Sequence, residues 1–224
     1  MMPANPPPAL VLRYRDEFIA VADKPHGLPA QSTREAERAH LFGMLQERFP
    51  YVGLHHRLDT PASGLMLFTL DKRVNPAIAR GFQTRTIERR YHAVVAGDPG
   101  ADGLWSAPID GKSATTRFAR LAQAGGMSLL EATLQTGRTH QIRIHASTGG
   151  HPILGDRRHG GAAGRLWPRL ALHAWSLRFT HPMTGEAIAV TSPTPPDLAG
   201  LWAMLGHQCT QATEAEETCR DPQS

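Results

Sequence analysis

The alternation of apolar and polar residues predicts a succession of short strands with a few helices between them. The continuous apolar run at residues 65–70 is typical of a buried strand. Apolar segments bounded by turn-forming residues predict further strands at residues 10–13, 18–22, 91–96, 115–121 and 127–134. The Gly125-Gly126 pair between the last two favours a tight hairpin turn.

Three helices are also predicted. Apolar residues at helical spacing indicate a helix at residues 39–48, and Pro76 stands where an amphipathic second helix would begin. A third helix should run from His140 until Gly149-Gly150, with the Thr139 hydroxyl as its N-terminal cap and Arg143 in its middle turn. Strands and helices without a regular alternation predict an α+β fold with a mixed, largely antiparallel sheet flanked by helices.

The chain of 224 residues is long enough to bury a substantial core. A Pro-rich extension occupies residues 1–8, and residues 208–224 form an acidic tail with few apolar residues, which we expect to be mobile. The segment between them, residues 9–207, is predicted to be a single catalytic domain. No internal repeat is visible.

The balance of charge favours a polyanionic partner. The formal net charge is +4 and the sequence pI is about 9.5. Basic residues are concentrated in one short region, at Lys72, Arg73, Arg80, Arg85, Arg89 and Arg90. A solvated helix face would give the same pattern, so this cluster alone does not establish a binding surface.

The cysteine content and the N-terminus point to a reducing compartment. Cys209 and Cys219 both lie in the C-terminal tail, so no disulfide framework and no cysteine-based zinc site are expected. The proline-rich N-terminus lacks the apolar core of a secretory signal, and no run of residues is long enough for a membrane span. We expect a soluble, cytoplasmic protein.

Two long motifs carry the chemistry of the chain. Residues 56–64 are His-Arg-Leu-Asp-Thr-Pro-Ala-Ser-Gly, which places an acid two residues after a base just ahead of an apolar strand. Residues 137–145 are Gly-Arg-Thr-His-Gln-Ile-Arg-Ile-His, and Gly-His-Pro-Ile-Leu-Gly-Asp follows at residues 150–156. With both motifs in this order, the chain resembles the RluA family of RNA pseudouridine synthases.

The resemblance continues through shorter segments, at residues 23–28, 90–93, 172–174 and 181–186. It implies the pseudouridine synthase fold, and we expect a compact member without an S4-type RNA-binding domain. The sequence departs from the family pattern at Ala62, where threonine is usual, and at Asp23, where asparagine is commoner. The missing threonine hydroxyl is expected to loosen the loop that carries Asp59 and to reduce activity.

By this resemblance, three residues act on the substrate. Asp59 is the catalytic carboxylate, either as a nucleophile at C1′ or as a base that removes a sugar proton, and the sequence leaves both roles open. Arg143 is its counter-ion, expected to bind the carboxylate in a bidentate manner. Tyr91 would stack on the uracil ring, and its phenol is a second candidate for removing the C5 proton.

The resemblance also implies a set of residues around the substrate. A uridine in structured RNA must be flipped out to reach a carboxylate, and Arg57 would fill the space that it leaves. His56 belongs to the same substrate-binding set, and Ile142 and Leu172 would form apolar walls, although plain core packing explains both equally well. The basic cluster would bind RNA phosphates.

Two other chemistries fail on spacing. Gly111-Lys112-Ser113 looks like the end of a phosphate-binding loop, but Ser106 stands where that motif needs glycine. His140 and His145 are five residues apart and would diverge on either a helix or a strand. We therefore expect no metal, no nucleotide cofactor and no other cofactor.

The resulting hypothesis is isomerisation of specific uridines in structured RNA, either tRNA or rRNA or both, to pseudouridine by a monomeric enzyme. A catalytically idle RNA-binding module or RNA chaperone with the same fold is the main alternative. A nucleoside or nucleotide hydrolase that releases free uracil is a weaker one, because the basic cluster favours a polymeric substrate.

Overall fold

The computed structural model describes residues 8–32 and 39–207. Its strands are β1 (Val11–Arg15), β2 (Ile19–Lys24), β3 (Gly53–Leu54), β4 (Ser63–Thr69), β5 (Glu88–Ala96), β6 (Asp102–Trp105), β7 (Thr116–Ala124), β8 (Met127–Leu134), β9 (Leu172–Thr180) and β10 (Ala187–Thr191). Its helices are α1 (Leu41–Arg48), α2 (Asn75–Thr84), α3 (Gln141–Thr148) and α4 (Pro196–Met204), with 3-10 turns at Lys72–Val74 and Ala163–Arg165.

The strands of the described ranges form one mixed sheet in the order β1-β2-β4-β9-β5-β8-β7-β6, with β10 beside β9 and β3 beside β4. Every pairing is antiparallel except that of β4 with β9, where Ser63 lies opposite His173 and Gly64 opposite Ala174. This parallel contact brings together segments that are more than a hundred residues apart. The described strands, which are antiparallel apart from this pair, confirm the predicted α+β class and the largely antiparallel sheet.

Both faces of the central sheet are covered, which explains the continuous apolar run in β4. Met66 and Phe68 face one hydrophobic cluster, which also contains residues of α1, α3 and α4. Leu65 and Leu67 face the other, which contains Ile78 of α2. Every residue of β4 is buried, as expected for a strand at the centre of a sheet with two covered faces.

The predicted elements are all present, with ends displaced by a few residues, and β8 has the predicted bounds. The hairpin turn is confirmed, since Gly125 and Gly126 both have positive φ, as a two-residue turn of this type requires. The sequence did not predict β9, β10 or α4. Their residues, between 172 and 204, combine apolar positions with buried histidine, serine and tryptophan, which obscures a simple periodicity.

The cap predicted for the third helix is wrong. The helix begins at Gln141 and its capping position is His140, which makes no side-chain capping bond within the described chain. The preceding loop is held instead by the Gln141 side chain. Its Oε1 accepts from the Thr136 hydroxyl at 2.6 Å and from the Arg138 backbone N–H at 3.0 Å.

Parts of three expectations concern residues outside the described ranges: most of the Pro-rich extension, the acidic tail and both cysteines. Within residues 8–32 and 39–207, no helix has the length and apolar content of a membrane span. The same residues contain no group of three or more histidine, cysteine, aspartate or glutamate side chains placed to hold a metal ion.

Candidate active site

A cleft of about 1010 Å³ opens where the two long motifs meet. The loop before β4 forms one wall with residues 54–61, and the loop before α3 forms the opposite wall with residues 137–140. The lining also includes residues 29–32, Phe82 and Gln83 of α2, Arg89 and Tyr91 of β5, Leu134, Arg143, residues 155–158 and Leu170. The strand order β4-β9-β5-β8 brings the segments at the ends of these strands to the same part of the sheet.

Asp59 lies in the loop that precedes β4, and backbone contacts hold this loop in place. The Asp59 carbonyl accepts from the Ala62 N–H at 3.0 Å. The buried Lys24 ammonium lies 3.2 Å from the Thr60 carbonyl and 2.6 Å from that of Ala62, and it also reaches the Pro25 and Leu28 carbonyls. These contacts restrain the loop even though Ala62 lacks the hydroxyl that a threonine would provide.

The charge of Lys24 depends on two opposing effects. Burial lowers the pKa of Lys24 to about 7. The four carbonyl oxygens within 3.2 Å of Nζ favour the charged ammonium, because an amine offers fewer protons than these acceptors require. With all four acceptors within hydrogen-bond distance, Lys24 is expected to carry its charge at neutral pH.

Arg143 connects two carboxylates at the floor of the cleft. Its Nη1 donates to Asp59 Oδ2 at 2.8 Å. Its Nε and Nη2 donate to Asp156 at 2.8 and 2.7 Å, so the bidentate partner is Asp156 and the expectation of a bidentate bond to Asp59 is wrong. The Arg143 side chain is 5% exposed and that of Asp59 is 21% exposed, which leaves the Asp59 carboxylate accessible from the cleft.

Asp156 was not identified as a site residue from the sequence, although it ends the second motif. Its Oδ1 also accepts from the backbone N–H groups of Arg158 and His159, each at 3.0 Å. Burial would raise the pKa of Asp156, but the Arg143 bonds and these backbone donors bring it below its usual range. Asp156 is therefore an ionised, fully bonded partner that orients Arg143.

Tyr91 lies on β5 opposite Ala174 of β9 and Ala132 of β8. These two small neighbours leave room beside the ring, which lines the cleft although it is only 4% exposed. Burial raises the pKa of the Tyr91 phenol. The phenol therefore remains protonated at neutral pH in the free protein.

Arg57 and His56 line the same wall but have different surroundings. Arg57 is exposed at the mouth of the cleft. His56 is fixed by the strand that follows, because its Nε2 accepts from the Leu67 N–H at 2.9 Å and its ring packs on Phe82 at 4.7 Å. Burial lowers the pKa of His56 to about 3, so the ring is neutral. His56 therefore anchors the loop that contains Arg57.

Ile142 and Leu172 do not lie among the cleft residues. Both are buried in the hydrophobic cluster beneath it, at 4% and 5% exposure. Leu170, two residues before Leu172, lines the cleft instead. On α3, the side chain of Arg143 is directed to the cleft, and its neighbour Ile142 lies about 100° around the helix, towards the sheet.

The six basic residues do not form one continuous surface. Arg89 lines the cleft and lies over Phe82 at 5.4 Å, whereas Arg90, one residue along the strand, points to the opposite face and pairs with Glu88 and Glu131. Lys72 and Arg73 lie in the turn before α2, where Arg73 pairs with Asp71. Arg80 and Arg85 are exposed on α2 and at its C-terminal end.

The structure identifies a basic rim that the sequence did not. Arg138, Arg157 and Arg158 line the cleft together with Arg57, and all four are exposed. We call these four residues the rim arginines. Each lies inside or directly after a recognised motif, so the motifs themselves contained the information. Charge clustering along the chain did not reveal it, because three separate loops contribute these residues.

Comparisons with known proteins identify the family. A model of the RNA pseudouridylate synthase family matches residues 19–148. The chain is 34% identical to Ribosomal large subunit pseudouridine synthase D of Nitrosomonas europaea, over 86% of this chain and 64% of that protein. It is 35% identical to Dual-specificity RNA pseudouridine synthase RluA of Salmonella typhimurium, over 84% of this chain and 96% of that protein.

Solved structures show the same fold. Human RNA Pseudouridylate Synthase Domain Containing 1 superposes with a TM-score of 0.71 at 25% identity, covering 94% of this chain and 95% of that one. The chain thus spans about two thirds of the length of the Nitrosomonas relative and nearly all of the Salmonella one. With a family model over more than half of its length and relatives above 30% identity, this chain belongs to the RluA family of RNA pseudouridine synthases.

Proposed function

We propose that this protein converts specific uridines of structured tRNA or rRNA to pseudouridine, with Asp59 as the catalytic carboxylate. The observation that supports this most directly is the Arg143–Asp59 contact of 2.8 Å, at the floor of a cleft that Tyr91 also lines. A carboxylate needs a cation or several donors to stay ionised where water is scarce, and Arg143 supplies the cation. The arrangement needs no cofactor.

The reaction is an internal rearrangement. The C1′–N1 bond breaks, the uracil turns, the C1′–C5 bond forms, the proton on C5 leaves and N1 gains a proton. Asp59 acts at the sugar, either as the nucleophile at C1′ or as the base that removes a sugar proton. No electrons are gained or lost overall, and water is not consumed.

Tyr91 holds the base during this rearrangement. Its ring is one of the few aromatic surfaces in the cleft, and stacking keeps the plane of the freed uracil fixed while allowing it to rotate. The raised pKa of the phenol makes it a poor base in the free protein. We therefore assign stacking, and not removal of the C5 proton, as its principal role.

RNA binding is assigned to the cleft and its rim arginines. Arg57 stands at the mouth, where it can enter the space of a flipped nucleotide, and Arg89 lies deeper beside Tyr91. Arg138 and Arg158 line the same cleft and would contact phosphates that flank the target uridine. We leave Arg90 out of the proposed RNA-binding residues, because its side chain faces the other side of the sheet.

The deciding experiment is tritium release from RNA labelled at C5 of uridine, with tRNA and rRNA tested separately. Wild-type protein should release tritium from at least one pool, and Asp59→Asn should release none while binding RNA normally. Asp102→Asn is the matched control, since Asp102 is an exposed aspartate of β6 outside the cleft. Binding without release by folded wild-type protein would favour the idle binding module, and release of free uracil would favour a hydrolase.

A further inference from the structure

The His140 ring lies beside Asp59 and the His159 ring lies against His140, and the chemistry proposed above uses neither of them. The His140 Nδ1 and His159 Nε2 atoms are 3.0 Å apart, with the rings nearly perpendicular. The other nitrogen of His140, Nε2, lies 3.8 Å from Asp59 Oδ1. Arg143 bonds to the opposite oxygen, Oδ2. The carboxylate therefore has a nitrogen donor facing each of its oxygens.

The backbone at His140 is in an unusual conformation. Its φ is +55° and its ψ is +24°, in the left-handed region that a residue with a Cβ rarely adopts. Backbone strain of this kind is found where surrounding contacts maintain it, often at functional sites. Here the Gln141 side chain fixes the loop, and the result is a ring that points across the cleft to Asp59.

The anionic carboxylate determines which ring nitrogen of His140 carries the proton. If His140 Nδ1 donated to His159, then His140 Nε2 would present a lone pair to Asp59, which is unfavourable. If His159 Nε2 donates to His140 Nδ1, then His140 Nε2 carries its proton towards Asp59 Oδ1. The carboxylate thus favours the tautomer of His140 that can donate to it, and His159 holds that tautomer by donating its Nε2–H to His140 Nδ1.

We infer that His140, held in this tautomer by His159, is a positioning residue that binds the second oxygen of Asp59 during the reaction. The inference rests on the proposed function of Asp59. The separation of 3.8 Å exceeds a hydrogen bond in the free protein, and it shortens when the substrate closes the site, as is common for catalytic contacts. With both oxygens held, the carboxylate plane is fixed relative to the sugar.

The charge state of the pair follows from its surroundings. The charged groups that act on it are Asp59, Arg143, Asp156 and Arg158. Burial lowers the pKa of His140, with Arg143 and His159 adding to the shift and Asp59 opposing it. Burial likewise lowers the pKa of His159, with Arg143 and Arg158 adding to it and Asp156 and Asp59 opposing it. The pair is therefore neutral at neutral pH and gains a proton only below the ordinary histidine range.

Protonation of the pair would weaken catalysis. An imidazolium beside Asp59 forms a stronger ion pair with it and makes the carboxylate a poorer nucleophile or base. Because burial lowers the pKa of both histidines, wild-type kcat should fall only at a pH below the ordinary histidine pKa of about 6.5. A variant with a donor that does not titrate should lose this part of the acid limb.

The test compares four variants by steady-state tritium release, which yields kcat and KM, on the RNA pool that wild-type protein modifies. His140→Phe removes the donor, and kcat should fall about 10- to 100-fold with little change in KM, the range typical of residues that orient a catalytic group. His140→Gln keeps an N–H near the Nε2 position and should retain most of the activity. His159→Phe should give a smaller loss. His151→Gln, outside the cleft, is the control.

The double variant His140→Gln/His159→Phe distinguishes positioning from general packing. Since His159 acts only through the tautomer of His140, its replacement should have no further effect once residue 140 is glutamine, and the acid limb should be missing in both glutamine proteins. Equal losses in His140→Gln and His140→Phe, or additive effects of the two sites, would overturn the inference. Thermal melts identify any variant that fails to fold, and inactive wild-type protein would count against the proposed function instead.

Discussion

The guanidinium of Arg143 donates two parallel hydrogen bonds to Asp156, from Nε at 2.8 Å and from Nη2 at 2.7 Å. This pairing fixes the plane of the guanidinium, because a bidentate contact resists rotation about the side chain. The remaining nitrogen, Nη1, is left to bond to Asp59 at 2.8 Å. Asp156 thus determines where the counter-ion of the candidate catalytic carboxylate points.

Replacing Asp156 by asparagine should impair both stability and activity. Asparagine keeps an oxygen for the backbone donors but leaves the buried Arg143 charge without its main partner. Breaking a buried ion pair on one side costs about 3–5 kcal/mol of the free energy of unfolding. Chemical denaturation at pH 7 measures this loss, and tritium release should show a drop in kcat. An unchanged stability would mean that Arg143 re-pairs fully with Asp59.

Asp156→Asn should also change how the stability of the protein depends on pH in acid. The folded-state pKa of Asp156 lies below its usual range, so its stabilising contribution is fully present above the ordinary carboxyl pKa of about 4 and is lost as the pH falls through the lower folded value. Wild-type protein should therefore lose stability as the pH falls below about 4. The asparagine protein should lose less over the same fall in pH, and denaturation curves at several pH values compare the two.

The rim arginines should account for part of the salt dependence of RNA affinity. Replacing Arg138 and Arg158 together by glutamine should weaken RNA affinity and reduce the slope of log K against log salt by about 0.7–0.9 for each lost phosphate contact. Fluorescence anisotropy from low to moderate salt measures the slope. Arg178→Gln, an exposed arginine of β9 outside the cleft, is the control.

Arg90→Gln separates this assignment from the one based on charge clustering along the chain. Arg90 pairs with Glu88 and Glu131 on the other face of the sheet, so its replacement should leave the salt slope as it is. A reduction as large as that of the rim variant would show that RNA contacts the opposite face.

Replacing Lys24 tests how strongly the position of the Asp59 loop depends on one buried cation. In Lys24→Met, four carbonyl oxygens lose their common donor, and each buried acceptor left unpaired costs about 1–3 kcal/mol unless water replaces the ammonium. The melting temperature should fall, and kcat should fall further than the loss of folded protein explains, since Thr60 and Ala62 flank the catalytic position. A kcat that follows the folded fraction alone would limit Lys24 to a structural role.

The parallel contact of β4 with β9 should tolerate only glycine at position 64. Its φ is +112°, and a Cβ at this position would lie 2.2 Å from the Ala174 carbonyl oxygen across the β4–β9 pair. Gly64→Ala should therefore prevent folding or lower stability by more than about 1 kcal/mol, the cost expected from the backbone alone.

Gly126→Ala is the matched control for this effect. Gly126 also has positive φ, at +72°, but no described atom lies within 4 Å of a Cβ built there. Thermal melts of both variants separate the backbone cost from the clash, and equal shifts would contradict the requirement at Gly64.

Local patterns were sufficient for much of the fold and part of the site. The apolar run of β4, the alternation in β8 and the glycines of the hairpin turn each depend on near neighbours, and all were predicted correctly. The strand β9 was not predicted, because it contains His173 and Ser176, whose burial depends on partners far away in the sequence. The Thr139 cap failed for a related reason, since Gln141 organises that loop through Thr115 and Thr116 of another segment.

The residues available for chemistry can be read from the sequence, because the two motifs contain Asp59, Arg143 and, as their last member, Asp156. How these residues pair with one another depends on the folded chain. The strand order β4-β9-β5-β8 places the loop before β4 within reach of the helix that follows β8, and Arg143 therefore bonds to Asp59 as well as to Asp156. Strand alternation likewise sends Arg89 into the cleft and Arg90 away from it. Charge and identity are properties of single residues, whereas pairing depends on register and burial, which exist only after the chain has folded.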